Sequence, residues 1–187
     1  MIRISAVGEP KASGPNLSEL LKLVGESPTP DRIATKIAKL LNVQRTEVAF
    51  LRVENTLLKF LHPPELRAAG AIPLSSNAVA ARTAVTRTSL LSNNFLRVKH
   101  VNLFETVKLA SDSRGTEFIE AVPIQKLISV PIESVQNGAV LGVVQISRKG
   151  LDARLAGPDF TTNELKLLEQ IAPILAQMPF MNSSEAL

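Results

Sequence analysis

No cysteine occurs anywhere in the chain. That absence removes disulfides, thiolate nucleophiles, cysteine-held zinc or iron–sulfur clusters, and any thioether-linked chromophore. Tryptophan and tyrosine are missing as well, and His62 and His100 are the only histidines, which leaves little material for a histidine-based metal centre. Apolar runs are short, and the one at 139–144 falls far below the ~18 residues that cross a membrane. The first residues lack the apolar core and cleavage site of a secretory signal. There is no Gly-x-Ser-x-Gly elbow and no glycine-rich phosphate loop. Carboxylates such as Glu117 and Glu120 are scattered and fall in no catalytic motif. Together these absences lead to the expectation of a cytoplasmic protein that is not an enzyme and carries no cofactor and no metal.

What is present is ordinary for a folded domain. The 187 residues are 45% hydrophobic and 20% charged, enough to bury a core without staples. The formal net charge is +4, and part of the excess lies in one stretch, with Arg82, Arg87, Arg97, Lys99 and Lys108 against Glu105. A phosphate footprint would look like this, but the aromatics that stack on bases are absent. A solvated face is the simpler reading, and nucleic acid is not an expected partner.

Residues 1–15, with Gly8, Pro10, Gly14 and Pro15, read as a flexible leader. Asn16 with Glu19 three residues on predicts a capped helix whose stripe is Leu17, Leu20, Leu21 and Val24, ended by Gly25. Thr29 followed by Pro30 predicts the next helix start, with Ile33, Ile37, Leu40 and Leu41 on the apolar face. Val48, Ala49, Phe50 and Leu51 are apolar on both faces, as in a central strand covered from two sides. A turn at Glu54, Asn55 and Thr56 returns the chain through 57–61, and His62-Pro63-Pro64 stops it. Short strands at 72–74 and 90–91 flank an alanine-rich helix at 77–86, with a turn at Ser92-Asn93-Asn94. From 95 to 123 the pattern is weak. Strands at 127–132 and 139–146 are joined by Asn137-Gly138, read as a tight hairpin turn. Thr161 with Glu164 is a second capping box, opening a helix with Leu165, Leu168, Ile171 and Leu175 on one face and a kink or stop at Pro173. This order is α+β, a sandwich around one antiparallel sheet.

The punctuation of that order resembles the GAF domain family. Ile72-Pro73-Leu74, the alanine-rich start at Ala78 to Ala81, Thr86-Arg87 and Leu90-Leu91-Ser92-Asn93-Asn94 occupy the places of the family's middle motif. The sequence Leu127-Ile128-Ser129-Val130-Pro131-Ile132, then Asn137-Gly138, Leu141-Gly142-Val143-Val144 and Phe160-Thr161, is similar to its late motif. The resemblance implies a GAF/PAS-like fold: an antiparallel sheet of five or six strands with helices on both sides. It implies one domain over 16–178, followed by a C-terminal tail at 179–187. The departures are specific. Alanines replace the helix-start glycines and Arg87 replaces the glycine of the Thr-Gly turn, which argues for a more closed or differently shaped pocket. Of the set that the cyclic-nucleotide-binding members carry, Phe160 and Glu164 remain while Ser147-Arg148-Lys149 and Asn163 depart, so cyclic nucleotides are not expected ligands. Bilin attachment and methionine-sulfoxide reduction in their usual forms need cysteines.

The resemblance also implies a ligand pocket between the sheet and the crossover segment, about 72–123. Phe60, Arg82, Asn93, Asn94, Lys99, His100 and Gln145 are its expected ligand-binding residues. Arg82 or Lys99 would meet an anionic group and Asn93 or Asn94 a polar edge. The function expected is that of a small-molecule-sensing signalling module without its own output domain, acting through a signalling protein partner. The alternative is a ligand-free dimerisation or protein-docking module of the same fold. A homodimer through the terminal helices is expected, because Leu17, Leu20, Leu21 and Val24 with Leu167, Ile174 and Leu175 would form a surplus apolar stripe.

Overall fold

The computed structural model describes residues 17–68, 70–95 and 122–182. Helix α1 (Ser18–Val24) leads into α2 (Pro30–Leu41). Strand β1 (Val48–Glu54) turns at Asn55 into β2 (Leu57–His62), followed by the short α3 (Pro64–Arg67) and β3 (Ala71–Pro73). Helix α4 (Val79–Thr86) and strand β4 (Leu90–Ser92) precede the long hairpin of β5 (Ile124–Glu133) and β6 (Val140–Lys149). Helices α5 (Thr162–Leu175) and α6 (Pro179–Asn182) complete the described chain. The strands form one six-stranded sheet in the order β3-β2-β1-β6-β5-β4, antiparallel at every pairing. The α+β expectation and the strand number stand.

The sheet is apolar on both faces because both are covered. Val48, Phe50, Val144 and Ile146 pack with Leu20 of α1, Ile33 and Ile37 of α2, and Leu168 and Ile171 of α5. The opposite face offers Ala49, Leu51, Leu58 and Val143 to Leu66 of α3 and to Ala80, Ala81 and Ala84 of α4. Alternate residues of β1 thus belong to different cores, as the two-residue period of a strand requires. The expectation that α1, α2 and α5 share one face holds. On the other face the described part of the stretch 72–123 contributes α4, while 96–121 lie outside the described residues.

Local signals were realised unevenly. The Thr29 side chain accepts from Arg32 N at 3.3 Å, with Pro30 opening α2. The second capping box is complete: Glu164 N donates to Thr161 Oγ1 at 3.2 Å, and Thr161 N donates to Glu164 Oε2 at 2.7 Å. At α1 the expected box is not formed. Leu17 is the N-cap without a side-chain bond, and Glu19 pairs instead with Lys36 of α2; Asn16 lies outside the described residues. The salt bridge wins because α1 packs beside α2, which sets Lys36 within reach. Asn137-Gly138 does not form a two-residue turn either. The loop runs over 134–139, with Gly138 N donating to Ser134 O and only Gly138 taking a positive φ, 69°. Pro173 does not stop α5, which runs on to Leu175. The packed structure also continues past 178: Met181 of α6 is buried, and Phe180 stacks on Phe50 with ring centroids 5.9 Å apart.

The apolar stripe invoked for pairing is absorbed by the chain itself. Leu20, Leu167, Ile174 and Leu175 are buried within the monomer, Leu17 and Val24 are partly buried against the same core, and among the stripe residues Leu21 alone is exposed, at 51%. α1 folds back onto α5 and completes the monomer's own core, so surplus apolar surface gives no reason for a dimer.

Candidate functional site

On the sheet face beneath α4, polar side chains interrupt an otherwise apolar layer. Ser129 of β5 lies directly opposite Gln145 of β6 in the antiparallel register. Gln145 Nε2 donates to Ser129 Oγ at 3.1 Å, and Ser129 Oγ is 2.8 Å from Thr83 Oγ1 of α4. All three residues are buried. Burying such groups costs free energy unless they bond one another, which these do. The row continues along β6 at every second position. Ser147 Oγ donates to Glu47 O at 3.3 Å, and Lys149 follows on the same face. Burial pulls the Lys149 ammonium below its ordinary pKa, and the Glu47 carboxylate opposes that. Gln145, Ser147 and Lys149 share a cavity of about 20 Å3 with Ala49, Leu66 and Leu127, room for about one water.

The expected site residues are not gathered in one place. Gln145 stands in the polar row. Arg82 is exposed beside a separate notch of about 90 Å3 next to Thr83 and Thr86. Asn93 is occupied elsewhere: its Nδ2 donates to Phe160 O at 3.0 Å while its Oδ1 accepts from Phe160 N at 2.8 Å. That clasp ties the end of β4 to the start of α5 and uses one N–H and one acceptor site of the Asn93 amide. Asn94 is exposed. Phe60 lines a cleft of about 570 Å3 at the β2 end of the sheet, together with Arg52, Lys59 and Phe180. Lys99 and His100 lie outside the described residues.

Phe160 and Glu164, the two residues shared with cyclic-nucleotide-binding members, also have structural work. The Arg148 guanidinium lies 4.1 Å from the Phe160 ring centroid. Its Nη2 donates to Glu164 Oε1 at 2.8 Å and its Nη1 to Pro158 O at 2.6 Å. Arg148 is buried, and these partners compensate its charge. Thr83, Ser129, Ser147 and Lys149 were missed from the sequence. The alternation of Gln145, Ser147 and Lys149 with Ile146 was visible, but Ser129 and Thr83 meet it only through strand register and helix placement. Among the described residues no cluster of His, Asp and Glu could hold a metal, and no helix is long and apolar enough to cross a membrane.

Solved structures with this fold include the GAF domain of an Acinetobacter phosphoenolpyruvate-protein phosphotransferase. It matches at TM-score 0.58 and 12% identity, covering 87% of this chain and 89% of that one. The A. aeolicus nlh2 GAF domain in an inactive state matches at TM-score 0.58 and 16% identity, with 89% and 94% covered. The free methionine-R-sulfoxide reductase of Neisseria meningitidis, solved with its substrate, matches at TM-score 0.56 and 16% identity, with 88% and 86% covered. No curated protein matches the chain. The last structure corrects the expectation that the chain is not an enzyme. The same architecture serves a reductase, so the fold accommodates catalysis, and missing linear motifs do not exclude it: catalytic groups assemble from separate strands and loops. The sheet order, the two-sided cover and a GAF domain model matching residues 29–178 agree, and the chain belongs to the GAF domain family, a family of common sensory and signalling modules.

Proposed function

We propose that this GAF domain senses a small molecule held against the sheet face beneath α4 and passes the change to a protein partner. The observation that carries the reading is the buried row Thr83–Ser129–Gln145 with Ser147 and Lys149 beyond it. A core that needed only stability would fill these positions with apolar side chains at no desolvation cost. The row instead offers hydroxyl, amide and ammonium groups along one line, the kind of sparse polar lining that orients a ligand in an apolar pocket. Gln145 supplies the central contact, and the Lys149 ammonium favours a ligand with an acceptor or anionic edge at that end.

A ligand-free docking module is the second reading, favoured by the tightness of the 20 Å3 cavity. A thermal-shift screen of purines, amino acids and organic acids separates the two, since a ligand that binds the folded state raises its melting temperature. The expected result is a saturable rise with one class, abolished in Gln145→Met, which keeps the volume and removes the amide. A rise that survives Gln145→Met belongs to a ligand held elsewhere, and if every rise observed survives Gln145→Met this site is overturned. No rise with any class leaves the docking module as the reading.

A further inference from the structure

The cleft of about 570 Å3 at the β2 end of the sheet takes no part in the sensory reading and does not depend on it. Its size falls within the range of about 300–1,000 Å3 usual for small-molecule sites. Arg52 and Lys59 lie directly opposite each other across β1 and β2, a like-charge pair that destabilises a sheet unless something neutralises it. Glu54 bridges them, with Oε1 2.6 Å from Arg52 Nη2 and Oε2 2.6 Å from Lys59 Nζ. One carboxylate therefore serves two cations. α3 adds a third, Arg67, whose Nε and Nη2 both donate to Leu61 O at 3.0 and 2.7 Å. That grip fixes the guanidinium at the cleft, and its Nη1 has no hydrogen-bond partner among the described residues. Three cations against Glu54 leave the lining with an excess of two positive charges. Between them the wall is apolar, with Phe60, Leu61 and Phe180.

We propose that this cleft binds a small organic carboxylate with an apolar body, its charged end held by Lys59 and Arg67 and its body against Phe180 and Leu61. A planar guanidinium edge fixed by its own backbone contact matches a carboxylate's two oxygens. The apolar wall separates such a ligand from inorganic phosphate, which would leave that wall in water.

Calorimetric titration of the full chain with benzoate, benzamide and inorganic phosphate tests the proposal. Benzoate binds, and the neutral benzamide binds roughly tenfold or more weakly, the loss expected for charge-assisted hydrogen bonds. In Lys59→Gln/Arg67→Gln, benzoate affinity falls by a similar factor, roughly tenfold or more. Both side chains reach solvent, so the double variant keeps the fold, and a wild-type melting curve verifies that. Gln145→Met binds benzoate as the wild type does, which keeps this site distinct from the one beneath α4. Equal affinity for benzoate and benzamide, undiminished binding in the double variant, or loss of binding in Gln145→Met overturns the proposal. So does failure to bind benzoate, whether or not phosphate binds.

Discussion

His62 shows how burial at one position turns into a pH dependence. Its ring is 1% exposed, tilted against Phe50, with Nε2–H donating to Arg45 O at 3.2 Å. Burial holds its pKa below the ordinary histidine value, outweighing the backbone bond to Arg45 and the Asp31 carboxylate, which raise it. The folded state therefore binds fewer protons than the unfolded one below about pH 6.5, the unperturbed value. Stability from this residue is fully present above that pH and is lost as the pH falls through it toward the lower folded-state value. The melting temperature is expected to drop between pH 7 and pH 5.5, and His62→Gln should flatten that segment of the curve. An unchanged slope in His62→Gln would show that other groups carry the acid sensitivity.

At the level of elements, α4 ends on Arg87 with φ 55°, in the left-handed region. The family's turn has glycine there, and its replacement by Arg87 implied a more closed or differently shaped pocket. The backbone takes the left-handed conformation anyway and bears the strain of a Cβ, about 1 kcal/mol. Arg87→Gly is expected to raise stability by about that amount, a shift of roughly 2–4 °C in melting temperature; Arg87→Ala should give no gain. A fall in stability for Arg87→Gly would mean that glycine's unfolded-state entropy outweighs the relieved strain. The hairpin between β5 and β6 makes a related point. Gly142 is required not by a turn but by close approach: a Cβ there would run into the Leu51 carbonyl of the paired strand, so the bare backbone is what lets β1 lie against β6 at this point.

For the molecule as a whole, the main question is where α1 belongs. Leu20 is 1% exposed and sits in the same core as Ile171 and Leu175, while Leu21 on the next position faces out. Leu20→Asp is expected to cost about 3 kcal/mol or more, because it places a charge in a packed core. Leu21→Glu should stay within about 0.5 kcal/mol and leave the mass measured by light scattering where the wild type has it. If Leu21→Glu halves that mass, the outer side of α1 is an interface between copies.

Capping and period signals are properties of a few neighbouring residues, and where no distant element competed the sequence by itself determined them. Thr29-Pro30, Thr161 with Glu164, and the doubly apolar Val48 to Leu51 all became what their chemistry requires, and with them the α+β order and the family. The tertiary structure decided whatever depends on residues far apart in the chain. Glu19 left its own helix end because α2 brought Lys36 alongside. Asn93 became a clasp because β4 lies beside the start of α5, 67 positions on. Leu20 and Ile174 found each other inside one monomer, which no local pattern encodes. The same reason governs the candidate site. Thr83, Ser129 and Gln145 meet because an antiparallel register and a helix crossing set them within 3.1 Å. Arg52 and Lys59 face one another through a pairing of strands, and Arg67 joins them through a helix that the sequence reading did not foresee. Periodicity places a side chain on a face, and only the packing of distant elements decides what that face meets.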